Sequence, residues 1–252
     1  MKTLTFIGNG NMALSIAKGL KGAYNIEVIG RNEEKLKKFK SELNLDINYF
    51  LLDDFDISDK EILLCIKPNN IEEVSKKLQG KAKVIYSVLA GTTIEKLKSN
   101  FNTNSVVRAM PNLAASVGKS MTTLTGDSKF RDEAMEIFKS IGQTLWLGSQ
   151  KELDIATALA GSGPAYLALI AEALADGAVK QGLKRDDALK ITKGLFEGFS
   201  EVIKETHPAL LKDAVMSPGG TTAAGYSALE ESGVRNGCIK AIKSAYKRAC
   251  EL

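Results

Sequence analysis

The sequence predicts two domains, a doubly wound α/β domain over residues 1–150 and an all-α domain over residues 151–252. Three observations carry this reading. A glycine-rich turn, Gly8-Asn9-Gly10-Asn11-Met12-Ala13, directly follows the apolar run Leu4-Thr5-Phe6-Ile7. Short β-rich runs then alternate with helical patterns, which is the βαβ rhythm of a parallel sheet. From Lys151 onward the strand signals stop, and apolar residues recur at helical spacing.

Each element follows from its local pattern. A strand at residues 4–7 feeds a helix at 13–20, Ile26-Glu27-Val28-Ile29 reads as the second strand, and a lysine-rich helix continues to about Leu43. Ile62-Leu63-Leu64-Cys65-Ile66, Val84-Ile85-Tyr86-Ser87-Val88 and Ser105-Val106-Val107-Arg108 are further β-rich runs. Residues 121–124 and 144–147 supply two more strands around a helix at 132–141, completing a Rossmann-type sheet. The break is expected near residues 148–152. Beyond it, Leu167, Ile170, Leu174 and Ala178 share one helical face, as do Ala188, Ile191, Leu195, Phe199 and Val202. The helix at 164–180 is studded with Ala165, Ala168, Ala171, Ala175, Gly177 and Ala178, so another backbone can approach it closely, within one subunit or across a dimer.

Composition excludes several functions. Of 252 residues 44% are hydrophobic and 25% charged, and 34 basic against 30 acidic residues leave a net charge of only +4. The lysines sit among glutamates, as in Arg31-Asn32-Glu33-Glu34-Lys35-Leu36-Lys37-Lys38, which marks a solvated helix face rather than a nucleic-acid stripe. The first residues lack a charged leader and a long apolar core, and the helix at 164–180 carries Glu172 and Asp176, so neither a secretory signal nor a membrane span is expected. Cys65, Cys238 and Cys250 form no CxxC pair, which suits a reducing compartment, and the expected location is cytoplasmic. With one histidine and no cluster of ligands, no metal site is expected.

The turn at Gly8-x-Gly10-x-x-Ala13 has the strand-to-helix setting that a dinucleotide needs. Gly8 permits the tight turn, Gly10 lets pyrophosphate approach the backbone, and Ala13 lets the helix pack on the strand. The same turn can also serve as a bare βα connection. Ile7, Asn9, Asn11 and Met12 are the neighbouring expected contacts. Where an NAD site places an acidic residue after its second strand, this chain has Gly30-Arg31-Asn32. A guanidinium and an amide suit a 2′-phosphate, which favours NADPH over NADH, although Arg31 can also be read as a solvated residue at a helix start. Cys65-Ile66-Lys67-Pro68, Ala90-Gly91 and Met110-Pro111-Asn112 each end or follow a strand, where ligand loops of open α/β sheets lie, with Cys65 otherwise read as core packing. At the other end of the chain, Ser217-Pro218-Gly219-Gly220-Thr221-Thr222 precedes a helix at 223–231. Unpaired N–H groups and a positive dipole end at such a start suit a small carboxylate.

Together these residues resemble the pyrroline-5-carboxylate reductases, which make proline, over nearly the whole chain. The resemblance rests on the Gly8 turn with Met12-Ala13, Lys67-Pro68, Ala90-Gly91, Met110-Pro111-Asn112 and Gly161-Ser162-Gly163-Pro164-Ala165-Tyr166. It continues through Glu172-Ala173-Leu174-Ala175-Asp176-Gly177 to Ser217-Pro218-Gly219-Gly220-Thr221-Thr222, Ala224-Gly225 and Leu229-Glu230. The family usually has Thr-Pro after Met-Pro-Asn, where this chain has Leu113-Ala114. The resemblance implies NADPH-dependent reduction of a cyclic imino acid, with Gly219, Gly220, Thr221 and Thr222 holding its carboxylate and the Thr222 hydroxyl facing the ring nitrogen. It also implies that Glu205 touches substrate, and that helical domains pair into a homodimer, often assembling further. A cyclic imine is basic enough to arrive protonated, so a hydroxyl, a carboxylate cradle and a positioned nicotinamide suffice, and His207 is not needed as an acid. Two rival readings share the architecture. A β-hydroxyacid dehydrogenase needs a lysine base in a K-x-x-N helix, and no lysine from Lys151 onward has asparagine three residues on. A non-catalytic NADP-binding sensor would keep the Gly8 turn without needing Thr222.

Overall fold

The computed structural model describes residues 1–251. The chain runs β1 (Thr3–Ile7), α1 (Asn11–Gly19), β2 (Asn25–Gly30), α2 (Glu33–Leu43), β3 (Asn48–Leu51), β4 (Phe55–Asp56), β5 (Glu61–Leu64), α3 (Ile71–Ser75), β6 (Leu78–Gln79), β7 (Val84–Ser87), α4 (Ile94–Asn100), β8 (Val106–Met110), β9 (Ser120–Gly126), α5 (Arg131–Lys139) and β10 (Gly142–Trp146). It continues as α6 (Gln150–Ala156), α7 (Gly163–Lys180), α8 (Arg185–Val202), α9 (Pro208–Ala214), α10 (Thr221–Glu231) and α11 (Val234–Cys250).

The main sheet has the order β10-β9-β8-β7-β5-β1-β2-β3, so the strand order reverses at β1. A crevice opens there, outside the carboxyl ends of β1 and β5. Strands β3 to β8 in this sheet pair parallel, but β9 is antiparallel to β8, and β10 runs with β9. The sequence rhythm did not show that reversal. Only a short 3₁₀ turn at Leu113–Val117 joins β8 to β9, too little chain for the crossover a parallel pair requires. The edge strand β3 was also unanticipated, since Phe50 and Leu51 are exposed and give no buried alternation.

Alternation along the strands places Leu4, Phe6, Val28 and Leu63 on one face and Ile7, Ile29, Ile62 and Leu64 on the other, all buried. Ile16, Leu36, Phe39, Ile137 and Phe138 from α1, α2 and α5 cover the first face. Ile71, Val74 and Leu97 from α3 and α4 cover the second. Each fully buried aliphatic or aromatic side chain contributes roughly 1.5–3 kcal/mol, so this two-faced core is what fixes the strand ends.

The chain divides into two compact units, one of Met1–Ser162 together with the residues from Ala245, the other Gly163–Ser244. The division falls later than the change of sequence period near 148–152, because α6 and the π-helical turn Thr157–Gly161 still pack with the sheet unit. The helical run Gln150–Lys180 is 31 residues, long and apolar enough to cross a membrane by length and composition. In the second unit Ala175, Ala188 and Thr192 are the buried side chains among the described residues, and Leu167, Leu169, Ile191, Leu195, Phe199, Leu210 and Ile239 are exposed. A helical unit with so little interior of its own presents a large apolar surface that needs covering.

Candidate active site

In the first unit the Gly8 turn sits where β1 ends. Gly8 adopts φ +107, and a Cβ there would lie 2.5 Å from the Cys65 carbonyl oxygen, so both the conformation and the close approach of β5 require glycine. Its N–H donates to the Ile29 carbonyl at 2.9 Å, which ties the turn to β2. Gly10 is the N-cap of α1, and a Cβ on it would meet nothing within 4 Å, so the backbone there is open to a ligand. The first N–H groups of α1 lack intrahelical acceptors and no side chain caps them, which leaves donors suited to an anion. Asn9 Nδ2, on the turn itself, is buried without a hydrogen-bond partner.

A cavity of about 280 Å³ opens against the turn. Of the expected cofactor contacts, the structure brings Ile7, Gly8, Asn9, Gly10, Arg31, Cys65, Ile66 and Lys67 into its wall. It adds Lys35, Asn70 and Val74, which the sequence reading did not name. Lys35 was legible, lying in the first turn of α2 just after Arg31 and the N-cap Asn32. Val74 and Asn70 were not, since only the sheet order brings the segment after β5 beside the end of β2. Asn11 and Met12 instead line a neighbouring hollow with Leu113, Ala115 and Ser116, and Pro68 opens the 3₁₀ turn Pro68–Asn70 beside the first cavity. Ala90 and Gly91 follow β7 outside both cavities, with Gly91 at φ +63 making the turn. Burial pushes the Cys65 thiol well above the ordinary cysteine range, so it contributes a wall and a carbonyl rather than a nucleophile. The open glycine backbone, the orphaned Asn9 amide and the cations Arg31, Lys35 and Lys67 fit a phosphorylated dinucleotide.

Two expected contacts have their side chains already engaged. Asn32 is the N-cap of α2, its Oδ1 accepting from the Lys35 N–H at 2.9 Å, so that oxygen shapes the helix start rather than binding cofactor. Asn112 has both ends of its amide committed, Oδ1 accepting from the Ala114 N–H at 3.0 Å and Nδ2 donating to the Ala160 carbonyl at 3.0 Å. The side chain ties the loop after β8 to the π turn Thr157–Gly161, and the backbone is engaged as well, its N–H donating to Ser120 Oγ at 3.0 Å and its carbonyl accepting from the Ala115 N–H at 3.1 Å. Beside it, Arg108 is buried in β8 and donates to Asp154 at 2.8 Å and to Gln150 at 3.2 Å, locking α6 to the sheet.

In the second unit Ser217 to Gly220 form a turn in which the Gly220 N–H donates to the Ser217 carbonyl at 3.0 Å, with Pro218 second and Gly219 third at φ +69. That is the residue pattern of a type II turn. It delivers the chain into α10, whose N-cap is Gly220 and whose first residue is Thr221, two residues earlier than the sequence pattern indicated. One element of the expected cradle is therefore corrected. The Gly220 N–H is spent on the turn, whereas the N–H of Gly219 and the first-turn N–H groups of Thr221, Thr222 and Ala223 have no backbone acceptor. Thr222 is exposed at this helix start, and Glu205 is exposed in the turn between α8 and α9. His207 caps α9, its Nδ1 accepting from the Ala209 N–H at 3.2 Å, which gives the ring a structural role at this helix start. Among the described residues there is no group of three or more metal-ligating side chains.

Residues 150–252 match the family model described as pyrroline-5-carboxylate reductase dimerisation, and residues 3–91 match that described as NADP oxidoreductase, coenzyme F420-dependent. A pyrroline-5-carboxylate reductase of Helicobacter pylori is 33% identical over 98% of this chain and 99% of its own length. That of Synechocystis is 40% identical over 76% of this chain and 74% of its own. Among solved structures, the 1-pyrroline-5-carboxylate reductase of Streptococcus pyogenes superposes with a TM-score of 0.87 at 32% identity, covering 99% of this chain and 98% of that one. The Plasmodium falciparum pyrroline carboxylate reductase, with NADP bound, gives 0.81 at 26% identity over 99% and 97% of the two chains. With a glycine turn between β1 and α1, a type II turn opening α10 and this likeness over nearly its full length, the chain belongs to the pyrroline-5-carboxylate reductase family.

Proposed function

We propose that this chain reduces 1-pyrroline-5-carboxylate to L-proline, using NADPH in preference to NADH. The observation that carries the reading is the helix start at Thr221, where a type II turn, three unpaired N–H groups and the Thr222 hydroxyl converge. When bound, the nicotinamide cofactor supplies the hydride. The N–H groups of Thr221, Thr222 and Ala223, reinforced by the α10 dipole, hold the substrate carboxylate. The Thr222 hydroxyl accepts from the iminium N–H and fixes which ring face is presented. Glu205 is a further substrate contact in this reading. No side chain has to deliver a proton before reduction, because the imine enters protonated and leaves as an amine that takes its second proton from water. Rate then comes from orientation.

The exposed apolar faces of α7, α8 and α11 support a homodimer formed through the helical domain, with further assembly of dimers. The same faces account for the apolar run Gln150–Lys180 without a bilayer, and the reading is of a cytoplasmic enzyme. Substrate-dependent oxidation of NADPH, with a 2-keto acid as control, tests the activity.

A further inference from the structure

Three cations line the dinucleotide cavity, and they are not equivalent. Lys35 and Lys67 have no ion-pair partner among the described residues. Arg31 does: its Nη1 donates to both carboxylate oxygens of Glu73, at 2.9 and 3.1 Å. Glu73 lies on α3, whose neighbouring residues Asn70 and Val74 form part of the cavity wall. The charge of the residue that follows β2, where discrimination between the two nicotinamide cofactors is exerted, is thus neutralised from a segment remote in sequence.

The consequence is electrostatic. A 2′-phosphate brings close to two negative charges to Arg31 and gains little from a guanidinium already paired with a carboxylate. To engage it fully, the phosphate must displace Glu73 or tolerate a like charge within a few ångströms. A ribose 2′-hydroxyl suffers neither cost. Lys77, one turn beyond Glu73, does not relieve it, because it is held by Asp53 at 2.8 Å. The chain therefore lacks an acidic residue at the end of β2 but places a carboxylate against that end from α3.

We propose that Glu73 is a cofactor-specificity residue, which by holding Arg31 reduces the advantage of the 2′-phosphorylated cofactor and keeps NADH usable. This rests on the reading that the Gly8 cavity binds a nicotinamide dinucleotide. Both partners are about half exposed, so the pair can open without unfolding anything.

The test is calorimetric binding of NADP+ and of NAD+, without imine, to the intact wild-type protein and to Glu73→Gln. Glutamine keeps the length and a hydrogen-bond acceptor for Arg31 but removes the charge. The expected result is a three- to fivefold tighter Kd for NADP+, about what one exposed charge pair is worth, with NAD+ unchanged or weakened. High salt should shrink the difference between the two proteins. An unchanged ratio of the two affinities would overturn the inference while leaving the dinucleotide site intact. Weaker NADP+ binding in Glu73→Gln would overturn it as well, since Glu73 would then orient Arg31 for the phosphate. If the wild type binds neither dinucleotide, the cavity reading fails and the inference with it.

Discussion

Thr222 and His207 lie in the same helical unit and separate two mechanisms, catalysis by orientation and catalysis by a general acid. Thr222 has a free hydroxyl at a helix start, whereas His207 spends Nδ1 on the Ala209 N–H. Thr222→Ala removes one contact to a charged group, about 1–3 kcal/mol, so kcat/KM should fall roughly ten- to hundredfold at unchanged melting temperature. His207→Gln should keep most activity, with at most a small loss of stability from the altered cap. A fully active Thr222→Ala beside a dead His207→Gln would replace orientation with general acid catalysis. At the cofactor end, Arg31→Glu should erode any preference for NADPH, because it sets two carboxylates against the 2′-phosphate. Steady-state kcat/KM with each cofactor measures it, and an undiminished preference would remove Arg31 from the site. The glycine turn after β1 and the helix start beside Thr222 were readable in the sequence because each is a local pattern whose geometry is set by a few neighbouring residues. Glu73 was not readable, since its contact with Arg31 depends on the order of strands.

Among the elements, α6 and the loop after β8 are held by polar contacts inside the fold. Arg108 in β8 is buried, and Asp154 is its charge partner on α6. Asp154→Ala would strand a buried guanidinium and should cost about 3–5 kcal/mol, read as a lowered urea midpoint. A loss within error of zero would mean that solvent reaches Arg108. A charged residue inside the apolar run Val106-Val107-Arg108-Ala109-Met110 was a visible sign of this contact, although its partner was not. The pair of hydrogen bonds from Asn112, one accepted from Ala114 and one donated to Ala160, lay further out of reach, because nothing local announces a π turn. On α10, hydrogen bonds from Arg235 and Tyr226 hold the Glu230 carboxyl down to about 2. A depressed carboxyl stabilises the fold above its unfolded value and ceases to do so as pH falls through the folded one. Glu230→Gln should therefore melt lower than wild type at neutral pH, with the gap closing between about pH 4.3 and pH 2. A gap independent of pH would assign the loss to packing.

At the scale of the whole molecule, the two units differ in how they are stabilised. The sheet unit has buried clusters on both faces, whereas the helical unit buries little and exposes Leu167, Ile191, Leu195 and Phe199. Helical periodicity revealed those faces in the sequence, but periodicity alone does not say whether the same chain or a second copy covers them. Leu195→Glu should lower the assembly state in sedimentation at micromolar concentration, and a bulky residue at Ala171 should do so where backbones approach closely. A wild-type protein that sediments as a single chain would remove the dimer from the picture. Reduction of the cyclic imine at the expense of NADPH is tested most directly by one measurement. Purified protein is supplied with NADPH and 1-pyrroline-5-carboxylate, and absorbance loss is followed together with proline formation, against a 2-keto acid control. Stoichiometric NADPH loss and proline gain with the imine alone is the expected result. Turnover of the keto acid without the imine, or no turnover by a protein that binds NADPH, would contradict it.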